Sequence, residues 1–273
     1  MNNNEKISNI SNERKLYLKK QKKNKFLVFF TQIGILIAFV MIWEIAANKE
    51  WIDSFIMSQP SKIWNTIVNL SSNDLLEHIG VTVFETLVGF CVGTFLGIII
   101  AIVLWWSNFL SKVAEPFLVV LNSLPKIALG PVIIIWVGAG MPAIIVVAIS
   151  ISLVVTILEN LNGFMDTDRE KLKMVKTFNA TKLQTLTKVV IPANISTFIN
   201  SLKVNIGLSL VGVISGEFLV SKAGLGYLIV YGGQVFKLDL VMASVLILAI
   251  VAAIMYESVV ILEKLILKSH KFI

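Results

Sequence analysis

Six times along this chain an apolar run is long enough to cross a bilayer, and that repetition limits the possible folds more than any other feature. A helix rises about 1.5 Å per residue, so roughly 20 apolar residues traverse a hydrocarbon core of ~30 Å. The runs fall at about 26–47, 81–106, 116–137, 142–161, 192–220 and 240–266. Barrel strands would instead alternate over about ten residues, a pattern these runs lack. The expected fold is an all-α integral membrane protein with six transmembrane helices. Only 15% of the residues are charged, against about 25% in soluble domains, which agrees with that class.

The formal charge of +7 is unevenly spread. Lys6, Arg14, Lys15, Lys19, Lys20, Lys22, Lys23 and Lys25 crowd residues 1–25. Such a run also suits nucleic acid. Its place before an apolar run favours the cytoplasmic flank of a membrane span, near anionic lipid, and no nucleic-acid partner is expected. Residues 1–25 are therefore read as a basic cytoplasmic tail and 26–273 as the six-helix domain. With the N-terminus inside, the internal segments 1–25, 107–115, 162–191 and 267–273 hold seventeen Lys and Arg; the external segments 48–80, 138–141 and 221–239 hold four. Both termini are expected in the cytoplasm. The run after Lys25 is too long for a cleaved signal peptide. Cys91 stands alone, and His78 and His270 are far apart in sequence, so neither a disulfide nor a zinc site is expected.

Gly89, Gly93 and Gly97 repeat every four residues in the second run, as do Gly212 and Gly216 in the fifth. Small residues at this spacing let helices approach closely, within one subunit or between two. Pro125 and Pro131 interrupt the third run, which fits a structural kink and a bend beside a pore equally. Glu44, Glu85, Lys126, Lys203, Glu217 and Glu257 lie in or near the runs, where ionisable groups are costly. The fifth run carries Asn200, Ser201, Lys203, Asn205, Ser209, Ser215 and Glu217 and is too polar to face lipid all round. It either buries satisfied polar groups against neighbours or lines a translocation pathway, for which Asn205, Ser209 and Glu217 are the candidates.

Between the fourth and fifth runs stands "LKMVKTFNATKLQTLTKVVIP", residues 172–192, with four lysines and no acid. Asp166, Asp168 and Glu170 precede or open it, where acids suit a helix start. Leu172, Val175 and Phe178 share a helical face, Asn179 can end that helix, and Ala180–Thr181 can begin another. Leu183, Leu186 and Val190 continue the stripe, and Pro192 suits the first turn of the next span. Two short helices with a break are expected at the inner membrane face. A helix lying on lipid is one reading; the break favours a shaped knob that fits a protein partner. The sequence has no G-x-x-x-x-G-K-[ST], H-E-x-x-H or G-x-S-x-G, so no nucleotide site and no enzymatic activity is expected of this chain.

"KMVKTFNATKLQTLTKVVIPANISTFINSLK" resembles the EAA loop of ATP-binding cassette (ABC) importer permeases. Lys173, Met174 and Val175 stand where that family has E-A-A, and Asn179 stands for its glycine; Ala180, Thr181, Val190, Ile191 and Pro192 match. "LNSLPKIALGPVIIIWVGAG" and "GEFLVSKAGLGYLIVYGGQVFKLDLVMASVLILAIV" resemble the nitrate, sulfonate and taurine subgroup, so that the likeness covers about 78–266. The resemblance implies a permease subunit in the bacterial plasma membrane with a cytoplasmic coupling loop at about 166–191. It further implies two cytoplasmic ATPase subunits that bind the ATP, a second permease copy forming a homodimer, and an extracytoplasmic substrate-binding protein. Lys173, Thr177, Phe178, Asn179, Ala180 and Thr181 would form the ATPase contact. The cargo would be a small organic anion such as a sulfonate or taurine, or nitrate, with a thiamine precursor or another vitamin-like molecule as the alternative. A stand-alone secondary carrier or channel is the alternative of another class; no inverted repeat supports it.

Overall fold

The structure, a computed structural model, describes residues 12–71 and 74–270; Lys6 of the basic tail and Lys271 lie outside the described residues. The chain forms two compact units, Met1–Asn65 and Thr66–Ile273.

The first unit is dominated by one helix, α1 (Asn12–Asn48). The expected boundary between tail and span at residue 25 is not a structural one, because the helix runs unbroken through Lys19–Lys25 into the apolar stretch. Lysine is a good helix former, so charge alone does not end a helix. Near its end Glu44 turns to the next helix, α2 (Pro60–Ser71), accepting from the Ser61 N–H at 3.1 Å and the Ser61 hydroxyl at 2.9 Å. The carboxylate thereby satisfies a free donor in the first turn of α2.

The second unit is built on three long helices: α3 (Leu75–Trp106), α6 (Met141–Met165) and α10 (Ile195–Val220). α6 lies between the other two, and the glycines explain how closely. A Cβ on Gly89 would stand 2.9 Å from the Ala148 Cβ, and one on Gly97 2.6 Å from Thr156. On the α10 side, a Cβ on Gly212 would meet the Ala148 Cα at 2.5 Å, and one on Gly216 the Ile144 Cα at 3.0 Å. The small-residue spacing is therefore used within one chain. Gly212→Val is expected to destabilise the closely packed α6–α10 pair by about 3 kcal/mol, since backbone rather than a movable side chain opposes the added carbons. An unchanged denaturation midpoint in mixed micelles would show that this contact carries no such weight.

The third span is not one helix. α4 (Asn108–Ser123) and the segment Lys126–Val137 meet at an 88° bend, the latter comprising a 3-10 turn (Lys126–Leu129) and α5 (Gly130–Val137). Leu124 is extended at ψ 140, the conformation forced on a residue before proline. The freed carbonyls are partly satisfied by Lys126 Nζ to Asn122 O (3.1 Å) and Ser123 Oγ to Val119 O (2.9 Å). Residues 108–115, expected as a connecting segment, are helical: Ser107 caps α4 by accepting from the Leu110 N–H. Five described helices are long and apolar enough to span a membrane, and six if the bent pair is one span.

The remaining elements are three short helices after α6, namely α7 (Arg169–Thr177), α8 (Lys182–Thr185) and α9 (Ile191–Ala193), then α11 (Leu225–Gln234) and α12 (Leu238–His270). One apolar cluster joins Leu104, Leu118, Ile157, Leu161 and Phe164 to Leu186 and Val190 at the α7–α9 end. A second joins Ile206, Leu225, Leu228, Ile247, Val251 and Met255 across α10, α11 and α12. Lys203 on α10 pairs with Glu263 on α12 at 2.6 Å, which removes one of the isolated charges read from the sequence.

Candidate coupling knob and translocation core

The connection from α6 to α10 is a rigid knob rather than a loop. Asp168 caps α7 by accepting from the Glu170 N–H at 2.8 Å. At the far end Asn179 takes φ 54, the Asn179 N–H bonds to Lys176 O (3.0 Å), and the Ala180 N–H bonds to Val175 O (3.2 Å). These two bonds make a Schellman stop, with asparagine in the left-handed position that glycine usually takes. Thr181 then opens α8 with a reciprocal capping box: its hydroxyl accepts from the Gln184 N–H (3.3 Å), and its own N–H donates to Gln184 Oε1 (2.8 Å).

A π-turn, Leu186–Val190, follows α8 and buries Leu186 and Val190 in the core. Pro192 lies in α9, and the spanning helix starts only after Asn194, so Pro192 does not open it as expected. Asn194 itself is a residue the sequence did not single out. Its Nδ2 donates to Thr167 Oγ1 and to Val190 O, both at 2.9 Å, and so ties the end of α6 to the start of α10. The clamp leaves the tip outward. Phe178 is 76% exposed and Met174 57%, while Leu172 packs against the core. Lys173, Thr177, Asn179 and Thr181 are exposed around that tip, and Ala180 is half-buried beside it.

Four polar residues of α10, Ser201, Asn205, Ser209 and Glu217, point into the protein, while Asn200 is exposed. Asn205 is 1% exposed and its Nδ2 donates to Thr94 Oγ1 on α3 (2.8 Å) and Thr156 Oγ1 on α6 (2.5 Å). One turn nearer the knob, Asn160 Nδ2 donates to Ser201 Oγ at 3.1 Å. Ser209 is fully buried, and its Oγ has no hydrogen-bond partner among the described residues. Thr94 and Thr156 were missed from the sequence, because threonine in an apolar helix gives little compositional signal, and Asn160 was missed because it stands at the polar end of the fourth run.

Glu217, 1% exposed, closes the opposite end of the same seam. Oε1 accepts from the Thr82 hydroxyl at 2.6 Å, and Oε2 accepts from the Gly226 N–H at 2.5 Å. Thr82 Oγ1 in turn accepts from the Leu225 N–H (2.8 Å), and His78 Nδ1 accepts from the Gly224 N–H (3.0 Å). Three side chains, Glu217 on α10 with Thr82 and His78 on α3, thus hold the start of α11, whose free backbone donors draw a carboxylate. Gly224, at φ 111, has the Glu217 carboxyl where a Cβ would stand. Glu85, equally buried on α3, lies against the Glu217 carboxyl.

With this arrangement established, the family model described as the binding-protein-dependent transport system inner membrane component matches residues 93–269. The chain belongs to that family. The permease is 30% identical over 227 residues to a "Probable ABC transporter permease protein" of Haemophilus influenzae, covering 83% of this chain and 91% of that one. It is 25% identical to the formylaminopyrimidine transport permease protein ThiX of Halalkalibacterium halodurans, covering 69% and 75%. It is also 25% identical to SsuC of Bacillus subtilis, a permease protein named for aliphatic sulfonates transport, covering 84% and 83%. A crystal structure of a bacterial ABC transporter that imports alginate shares the fold, with TM-score 0.63, 14% identity, and coverage of 91% of this permease and 98% of that chain.

The permease is accordingly an ABC importer subunit that crosses the plasma membrane several times. It is not an enzyme: subunits of this kind are the membrane components, and ATPase subunits and a substrate-binding protein work beside them.

Proposed function

We propose that this permease moves a small organic anion inward as a homodimer, with α7 and α8 seated on cytoplasmic ATPase subunits. The rigid, outward-facing tip carries the reading: an aromatic ring at 76% exposure on a segment clamped at both ends is shaped to fill a socket. Lys173, Thr177, Phe178, Asn179, Ala180 and Thr181 form the contact. Closure of the ATPase pair would move the knob as one body, and Asn194 and the π-turn would pass that motion to α10. Asn205, Ser209 and Glu217 serve the translocation pathway from within its wall, fixing the helices that border it. Both termini and the knob face the cytoplasm, in keeping with the lysine distribution.

The lean toward a sulfonate, taurine or nitrate draws on the SsuC relative, named for aliphatic sulfonates transport. Lys126 adds a cation at the break of the third span, where its ammonium donates to the Asn122 carbonyl. A thiamine-precursor cargo is the second reading, favoured by the formylaminopyrimidine relative.

The test is uptake of labelled taurine and of labelled formylaminopyrimidine by cells expressing the whole transporter, with and without vanadate. Vanadate-sensitive taurine uptake is the expected result. Vanadate-insensitive uptake would overturn ATP coupling, and uptake of the pyrimidine alone would overturn the anion assignment. Cysteine labelling at position 177 from the outside of intact cells would overturn the orientation.

A further inference from the structure

Behind the knob lies a cavity of about 590 Å³ that coupling does not explain. It is lined by Arg169, Lys176 and Lys182 together with Asn108, Thr185 and Trp105, and among the described residues no acid lines it. Neither Arg169 nor Lys176 has an ion-pair partner within 4.0 Å among the described residues, although Asp166, Asp168 and Glu170 are close in sequence. Lys182 donates to the Trp106 carbonyl and lies 5.8 Å from the centroid of that ring. All three cations are exposed, so solvent tempers their mutual repulsion, yet together they give the void a positive field that favours an anion.

The surroundings say which kind of anion. Trp105 and Trp106 end α3, and tryptophans mark the headgroup level of a bilayer. Met165, on the cavity wall, is 51% exposed, so an apolar flank adjoins the cations. A planar guanidinium beside ammonium groups suits phosphate oxygens.

We propose that this cavity binds a phosphate group, supplied by an anionic phospholipid headgroup of the inner leaflet. Basic pockets between spanning helices on the cytoplasmic side characteristically receive such headgroups. The proposal rests on the reading that the knob end is cytoplasmic. A headgroup seated there would bridge α4 and α7 from the membrane side and steady the knob while its tip engages the ATPase.

The experiment uses the full chain in phosphatidylcholine vesicles, with and without an equal share of phosphatidylglycerol, followed by native mass spectrometry of the retained lipid. Wild type is expected to retain phosphatidylglycerol roughly thirty-fold more strongly than Arg169→Gln/Lys176→Gln, from two cations near the membrane surface. Lys171→Gln, which removes a like charge outside the cavity, is expected to match wild type. Inorganic phosphate that binds in phosphatidylcholine alone, with no phosphatidylglycerol retained, would support the phosphate site but make the source a free anion. Equal retention by wild type and the double variant overturns the proposal. So does a double variant that keeps its lipid and loses only ATPase docking, which would give the cavity to the ATPase interface.

If the double variant fails to fold, hydrogen exchange of wild-type residues 169–185 decides. Slower exchange with phosphatidylglycerol supports the site, and identical exchange overturns it. No solute or ATPase is needed for either lipid readout, so failure here leaves the importer reading intact, whereas failure of the orientation appears separately in the labelling at position 177.

Discussion

Phe178→Ala is expected to weaken ATPase docking by about 2 kcal/mol, roughly thirty-fold, and to abolish most uptake while the chain still inserts and folds. The ring contributes almost nothing to the fold: it is 76% exposed, and it sits at the helix stop where backbone bonds from Asn179 and Ala180 do the holding. A large effect on uptake without an effect on stability would therefore be diagnostic. Copurification of the ATPase subunits with the variant measures the first quantity, and denaturation in mixed micelles the second. Wild-type copurification would remove Phe178 from the contact. Loss of stability in step with uptake would instead mean that the tip packs against its own chain.

Glu217→Ala is expected to show the reverse profile. The carboxyl receives the Thr82 hydroxyl and the Gly226 N–H in a site that water does not reach. Removing it leaves both donors unpaired and opens a void between α3, α10 and the first turn of α11. Buried donors without partners cost about 1–3 kcal/mol each, so a loss of roughly 3 kcal/mol or more is expected. Glu217→Gln is expected to lose less, because the shape remains and one oxygen still accepts, but its NH₂ must face either the Gly226 N–H or the Thr82 hydroxyl. Unfolding of the three proteins in mixed micelles gives the order. A Glu217→Ala variant as stable as wild type would show that the α11 turn is held by His78, Thr82 and packing without the carboxyl.

These two sites differ in how far they could be read in advance. The knob was legible because its signals are local: an acid before the helix, asparagine at the stop, threonine at the next start. Each acts through bonds that reach no more than a few residues along the chain. The Glu217 site was half legible. A carboxyl in an apolar run announces that it must be satisfied, and Glu85 carried the same mark. Its partners Thr82 and Gly226 lie 135 and 9 residues away, and only helix packing selects them. The π-turn at 186–190 and the clamp from Asn194 to Thr167 gave no comparable warning. They exist to fit the knob to a core whose shape is set by other helices.

The sequence by itself determined that this chain is helical and membrane-spanning, with six apolar passages, a basic flank and a break between two short helices that join the fourth to the fifth. Those properties follow from the length of apolar runs and from short-range backbone chemistry. The tertiary structure alone decided that the glycine repeats serve contacts within the subunit, that the third passage bends through 88°, and that three loosely spaced cations surround one cavity. The physical reason is that hydrophobic burial has no direction. It sends helices into the bilayer without saying which faces meet, and that choice is left to close packing and to the few buried hydrogen bonds that must find partners.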